Sequence, residues 1–303
     1  MRPLKIGLAL VVIEDVSTGS PIAWSEIRRR ALWAEEVGFD TIWIPDELLW
    51  EPDSWPGPRG WWECVAITAA VAEATSEVTV GTWVLSALHR NPALTAKVVS
   101  TLDEISGGRL IFGFGAGHSA KQGKAFGYAL EKIVGRYEEA LQVVVPLLRG
   151  ETVEFEGKYH RASLANRPSG PRPGELPIML AGHGPRNIGL AAKYGDMWSA
   201  FATTSSQPEA FTGMLQMLDR ACEQAGRDPK SIGRSIGIDL VPGGFTAPEA
   251  LGLTDPVTGS PEQIAEAVRD FSDLGVTNLE FMVWPNEPEA LEAAAEVLGQ
   301  FGG

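Results

Sequence analysis

The chain has 303 residues, of which 44% are hydrophobic and 21% are charged, a composition that excludes a disordered protein and allows a large buried core. Its net charge of -14, from 25 basic and 39 acidic residues, argues against nucleic acid or an anionic membrane as the main partner. Two cysteines, Cys64 and Cys222, are too few for a disulfide framework, and the apolar run 6–13 is too short to span a membrane or direct export. We therefore expect a cytoplasmic protein with no membrane or nucleic-acid partner.

Short β-branched runs alternate with longer amphipathic runs along the chain, which is typical of βα units and a parallel sheet. The predicted strands cover residues 5–12, 41–45, 78–84, 110–115, 178–181, 197–200, 232–240 and 278–283. The predicted helices cover residues 24–37, 61–75, 93–105, 135–149, 185–194 and 208–226, with one more opening at Ser260 and a last one after the eighth strand. Ser260 and Gln263 form a capping box, and residues 152–160 predict a short hairpin.

Eight strands that are each followed by a helix predict a (β/α)8 TIM barrel, with insertions after the strands and one domain over residues 1–303. The long connections, around residues 47–60, 116–134, 168–174 and 241–259, all follow strands. In this fold the active site lies at the carboxyl ends of the strands. Functional residues are therefore expected at those ends.

The fourth predicted strand runs into alternate glycines, Gly113, Gly115 and Gly117, and then into His118. Glycines at this spacing let a planar or anionic ligand lie against the main chain, although they also serve strand packing or a tight turn. The pattern is G-x-G-x-G rather than the G-x-G-x-x-G of a dinucleotide-binding fold, and the strand is not the first of the chain.

Six segments, in this order and at this spacing, resemble the bacterial-luciferase-like superfamily of flavin- or deazaflavin-dependent oxidoreductases. They are DEISGGRLIFGFGAG at 103–117, AFGY at 125–128, RYEEA at 136–140, FEGKY at 155–159, AGHGPR at 181–186 and GSPEQ at 259–263. The resemblance spans nearly the whole chain. It implies a TIM barrel that binds coenzyme F420 or FMN and transfers hydride or activated oxygen to a small organic substrate.

The resemblance also implies where the cofactor binds. The turn with Gly182, His183, Gly184 and Arg186 opens a helix, so its backbone N–H groups and dipole are suited to a phosphate. The end of the third strand would carry a cis peptide at Trp83–Val84 behind the cofactor ring. The remaining expected cofactor contacts are Asp46, Thr82, Gly115, Ala116 and Gly117.

Many similar enzymes have Asp-His where this chain has Asp46 and Glu47, and some deazaflavin enzymes have a glutamate where it has His118. Glu47 and His118 are therefore predicted to act as acid and base with exchanged positions. His89 is a further histidine near the same rim. The tryptophans in or beside the second loop, Trp50, Trp55, Trp61 and Trp62, predict an aromatic wall for an apolar substrate, and Trp284 at the end of strand eight would close the opposite side.

Two cofactor chemistries remain open at this stage. FMN reduced by a separate reductase would support oxygen addition, whereas F420 would favour hydride transfer, and the strand end at residues 82–84 slightly favours F420. The alternatives are a non-catalytic flavin-binding protein and a metal-dependent barrel isomerase or lyase, although no metal-ligand spacing is present. A homo-oligomer is expected.

Overall fold

The computed structural model describes residues 2–15, 18–51, 55, 57–117, 120–165 and 170–301. In this part of the chain, eight parallel strands close into a barrel, because the fifth strand pairs with both the sixth and the fourth. The predicted TIM barrel is confirmed. Its strands are β1 (Lys5–Ala9), β2 (Thr41–Ile44), β3 (Thr79–Thr82), β4 (Leu110–Gly115), β5 (Ile178–Ala181), β6 (Met197–Phe201), β7 (Gly233–Pro242) and β8 (Asn278–Val283).

Helices surround the barrel and bury their apolar faces against the strands. None of the described helices is long and apolar enough to cross a membrane. They are α1 (Trp24–Val37), α2 (Cys64–Ala74), α3 (Pro92–Ile105), α4 (Ala120–Phe126), α5 (Ile133–Leu148), α6 (Pro185–Tyr194), α7 (Thr212–Gln224), α8 (Pro261–Asp273) and α9 (Pro288–Gly299).

Alternate residues of each strand point into the barrel, where side chains of very different size fill the space. A Cβ at Gly81 would lie 2.1 Å from the ring of Trp43, and a Cβ at Gly237 would lie 2.2 Å from the ring of Trp83. The indole rings of Trp43 and Trp83 therefore extend across the interior of the barrel and pack on glycines of other strands. This packing places Trp83 at the carboxyl end, facing inward.

Several elements differ at their ends from the prediction. β1 ends at Ala9 because the chain then leaves the ladder, and Ile13 bridges to Trp61 instead. α2 begins only at Cys64, since the side chain of Glu63 caps it by accepting from the N–H of Ala66. The hairpin consists of Val153–Glu156 and Arg161–Ala165, longer than expected.

Among the short loop elements that were not predicted are a helix and a pair of strands. α4 lies in the connection after β4, and the strands Leu49–Trp50 and Arg59–Gly60 pair in the loop after β2. Both are too short to produce a clear periodic signal in the sequence. They matter because they cover the carboxyl end of the barrel.

Candidate active site

A cavity of about 530 Å³ opens at the carboxyl ends of the strands, within the range of roughly 300–1,000 Å³ that is usual for ligand pockets. Its walls come from the ends of β2 to β6, from Met282 on β8 and from α4. Ten of the predicted site residues line it: Asp46, Glu47, Trp50, Trp83, Val84, Gly115, Ala116, Gly117, Gly182 and His183. The structure thus brings together residues from four separate strand ends.

The other predicted site residues lie elsewhere. Thr82 points away into the sheet, where its hydroxyl donates to the carbonyl of Gly113 at 2.8 Å. Arg186 extends outward and pairs with Glu138 on α5. Gly184 follows the cavity-lining turn, Trp55 and Trp284 pack behind Trp50, and His118 lies outside the described residues.

The glycines of β4 make room for the neighbouring strand end. A Cβ at Gly115 would lie 2.8 Å from a methyl group of Val84, and one at Gly117, where φ is 81°, would lie 2.5 Å from the hydroxyl of Ser86. The peptide bond between Trp83 and Val84 is cis, as the family resemblance implied. The glycines therefore have a packing role as well as facing the cavity.

The turn before α6 presents free hydrogen-bond donors to the cavity. Gly184 is the N-cap and Pro185 the first helical residue, and the backbone N–H groups of Arg186 and Asn187 donate to no described group. The side-chain Oδ1 of Asn187 is buried, and none of the described residues donates a hydrogen bond to it. A helix N-terminus with unsatisfied N–H groups attracts anions such as phosphate.

Asp46 is the most constrained charged group of the cavity wall. Its side chain is fully buried and accepts from the N–H of Ser86 at 2.8 Å, from Nδ1 of His89 at 3.1 Å, and from both terminal nitrogens of Arg90 at 2.8 and 3.1 Å. Burial alone would raise the pKa of Asp46, but the hydrogen bonds from His89 and Arg90 lower it to about 2. Asp46 is therefore a carboxylate that orients its neighbours.

Glu47, one of the two predicted catalytic residues, is half-buried in the same wall. Its carboxylate accepts a hydrogen bond from the amide of Gln122 on α4, which also donates to the carbonyl of Leu49 at 3.1 Å. α4 thus ties the loop after β4 to the end of β2. Sequence reasoning missed Gln122, because nothing in the sequence connects it to Glu47.

Three of the four loop tryptophans expected to form an aromatic wall, Trp50, Trp55 and Trp61, pack together with Trp284. Trp50 stacks on Trp284 with ring centroids 6.4 Å apart and meets Trp55 and Trp61 edge-on. Trp61 lines the cavity. Its position just before α2 in the loop after β2 was visible in the sequence, but its role depends on how that loop folds.

Asp239, near the carboxyl end of β7, accepts from Nε1 of Trp284 at 2.8 Å. Burial raises the pKa of Asp239 to about 6, although the hydrogen bond from Trp284 opposes this effect. Asp46 and Asp239 both lie near the mouth of the barrel, but their surroundings lower the pKa of Asp46 and raise the pKa of Asp239. Within the described residues, no group of three or more His, Cys, Asp or Glu side chains is arranged to hold a metal ion.

The sequence profile of the luciferase-like monooxygenase family matches residues 4–244, four fifths of the chain. The chain belongs to this family. The predicted resemblance is therefore confirmed, and with it the expectation of an oxidoreductase.

Similar proteins share this family's architecture at modest sequence identity. The 5,10-methylenetetrahydromethanopterin reductase of Archaeoglobus fulgidus is 31% identical over 64% of the chain, an alignment that spans only 53% of that reductase. The F420-dependent glucose-6-phosphate dehydrogenase of Kineococcus radiotolerans is 28% identical, with 92% of the chain and 91% of the relative aligned. A solved F420-dependent secondary alcohol dehydrogenase superposes with a TM-score of 0.77 at 19% identity, covering 98% of both chains, which shows the shared fold.

Proposed function

We propose that this luciferase-like protein is an F420-dependent oxidoreductase that transfers hydride between the deazaflavin and a small organic substrate. The observation that carries the proposal is the cavity itself, which joins an aromatic wall at one side to free N–H donors of α6 at the other. Relatives whose names include F420 dependence support the choice of this cofactor over FMN.

The residues present fit such a cofactor. Its phosphate would accept from the backbone N–H groups of Arg186 and Asn187. Trp83 and Val84 form an apolar surface beside Gly115 on which a planar ring can rest. The bound deazaflavin supplies the hydride chemistry, and the protein supplies position and exclusion of water.

We propose that Glu47 and His118 act as acid and base. The place of Glu47 in the cavity wall, beside the aromatic residues, supports its role. Trp50 and Trp61 would hold an apolar substrate and keep water from the reacting atoms. Trp284 and Trp55 would act through Trp50 by fixing its orientation.

Replacement of Gly184 by Val tests the phosphate site directly. Gly184 has an ordinary φ of -81° and nothing within 4 Å of a Cβ, so the fold should be kept while the added methyl groups obstruct the anion. We expect the dissociation constant for F420, followed by its absorbance and fluorescence, to rise by about tenfold, or about 1.4 kcal/mol. Gly182 is unsuitable, since a Cβ there would lie 2.4 Å from Asn187.

Gly189→Val is the matched control, because Gly189 lies on the same helix and also has open space around it. Its dissociation constant should stay within twofold of wild type. Equal affinity in Gly184→Val and wild type would contradict the phosphate site. Binding of FMN but not F420 by the wild-type protein would overturn the proposed cofactor and favour a monooxygenase supplied by a reductase.

We also propose a cytoplasmic homo-oligomer. Both cysteines are free and buried, which suits a reducing compartment. Trp24 and Trp62 are 40% and 42% exposed, and Nε1 of Trp62 donates to the carbonyl of Ile22, two residues before Trp24, at 2.8 Å. Large aromatic side chains exposed together favour contact with another protein surface.

A further inference from the structure

His89, expected near the rim from the sequence, lies in the wall of the cavity. It lies between the short strand Leu85–Ser86 and α3, and its backbone N–H donates to the carbonyl of Ser86 at 3.2 Å. Its ring lines the cavity and stacks on Tyr128, with centroids 4.9 Å apart and planes 29° apart. The imidazole is thus held flat in the wall rather than extended into solvent.

The two ring nitrogens of His89 have different environments. Nδ1 lies 3.1 Å from Oδ2 of Asp46, whereas Nε2 makes no hydrogen bond to any described residue. The carboxylate of Asp46 can only accept, so Nδ1 must carry the hydrogen. In the neutral ring, Nε2 therefore has a free lone pair.

Asp46 cannot turn away from His89. Arg90 donates hydrogen bonds to both carboxylate oxygens of Asp46 and also forms an ion pair with Glu63, the N-cap of α2. The carboxylate is fully buried in this network. A histidine oriented by a fixed carboxylate is the arrangement that allows one ring nitrogen to exchange protons with a substrate.

We propose that His89 is a proton-transfer residue of this enzyme and that Asp46 is its positioning residue. This inference rests on the proposed hydride-transfer function and adds a residue to the predicted Glu47 and His118. The substrate class it implies is an alcohol, or the corresponding carbonyl compound in the reverse direction.

In the oxidative direction, an alcohol would be converted to a carbonyl compound. The C–H bond of the alcohol carbon would break, and its electron pair would leave as hydride to the oxidised deazaflavin, which would be the oxidant. The O–H bond breaks, its proton passes to Nε2 of His89, and a C=O bond forms. The imidazolium that results is stabilised by the carboxylate of Asp46 at 3.1 Å.

The first measurement needs neither cofactor nor turnover. In protein labelled with ¹⁵N-histidine, we expect the neutral ring of His89 to be in the tautomer with hydrogen on Nδ1. Asp46→Asn should change this tautomer balance, because the amide can both donate and accept. A wild-type ring with hydrogen on Nε2 would overturn the inference.

The second measurement compares His89→Asn with His160→Asn, a histidine in the hairpin outside the cavity. His89→Asn should lower the single-turnover rate of hydride transfer by about 10²- to 10⁴-fold while F420 affinity changes less than twofold. Imidazole in solution should restore part of the rate in His89→Ala. The His160 variant should keep the wild-type rate.

The outcomes separate the two proposals. Wild-type protein that neither binds F420 nor transfers hydride would refute the proposed function, whereas the tautomer measurement would still stand. A His89→Asn variant that binds F420 and reacts within twofold of wild type would refute the role of His89 alone. A large loss in Glu47→Gln, with none in His89→Asn, would assign proton transfer to Glu47.

Discussion

Glu280 is a carboxyl group at the centre of the barrel, and replacing it by glutamine should stabilise the protein at neutral pH. It is fully buried on β8, where Oε1 accepts from the hydroxyl of Ser235 at 3.0 Å and Oε2 accepts from the indole of Trp43. Burial raises the pKa of Glu280 to about 8, and these two hydrogen bonds oppose the effect only in part. The acid is therefore mostly protonated in the folded protein at pH 7.

The sign of the effect follows from this raised pKa. The folded state holds the proton of Glu280 more tightly than the unfolded chain, where the pKa is near 4.5. The contribution of this group to the free energy of unfolding is therefore fully present below pH 4.5 and is lost as the pH rises to about 8. At pH 7 the loss amounts to about 3 kcal/mol, taking 1.36 kcal/mol per pH unit. Glutamine can accept from Trp43 and donate to Ser235, and it has no proton to lose.

The assay is the free energy of unfolding in urea, measured from pH 5 to pH 8.5. Relative to Glu280→Gln, wild type should lose about 3 kcal/mol or more over this range. Glu296→Gln, on the exposed face of α9, should track wild type. A Glu280→Gln protein that is less stable than wild type by the same amount at every pH would show that the charged carboxylate is tolerated and would refute the reasoning.

Two further predictions concern the upper barrel. Gly81→Ala places a Cβ 2.1 Å from the buried indole of Trp43 and should lower the free energy of unfolding by about 1–3 kcal/mol. Gly189→Ala, where a Cβ meets open space, should not lower it. Asp239→Asn should abolish a shift of the Trp284 indole ¹⁵N–¹H resonance that we expect in wild type with a midpoint near pH 6, the pKa to which burial raises Asp239. A wild-type midpoint near pH 4 would contradict that effect of burial.

The sequence by itself determined the order of the elements and the end of the barrel at which to look. Alternation of β-branched and amphipathic runs reflects local propensity and burial on one face, so eight strands and their helices could be counted directly. The capping box at Ser260 and Gln263 is likewise local and is present as predicted. The glycines before His118 and the turn before α6 marked strand ends for the same reason.

Only the tertiary structure decided which side chains meet. Trp43 and Glu280 are 237 residues apart and pair because barrel closure brings β2 and β8 to either side of β1. Asp46 and His89 come from loops after different strands, and their contact depends on the path of each loop. Arg186 could have faced the cavity, but its long side chain reaches Glu138 instead. These contacts depend on distances in the folded chain, which the spacing of residues along the sequence does not encode. The sequence therefore located the rim of the barrel but not the Asp46–His89 pair.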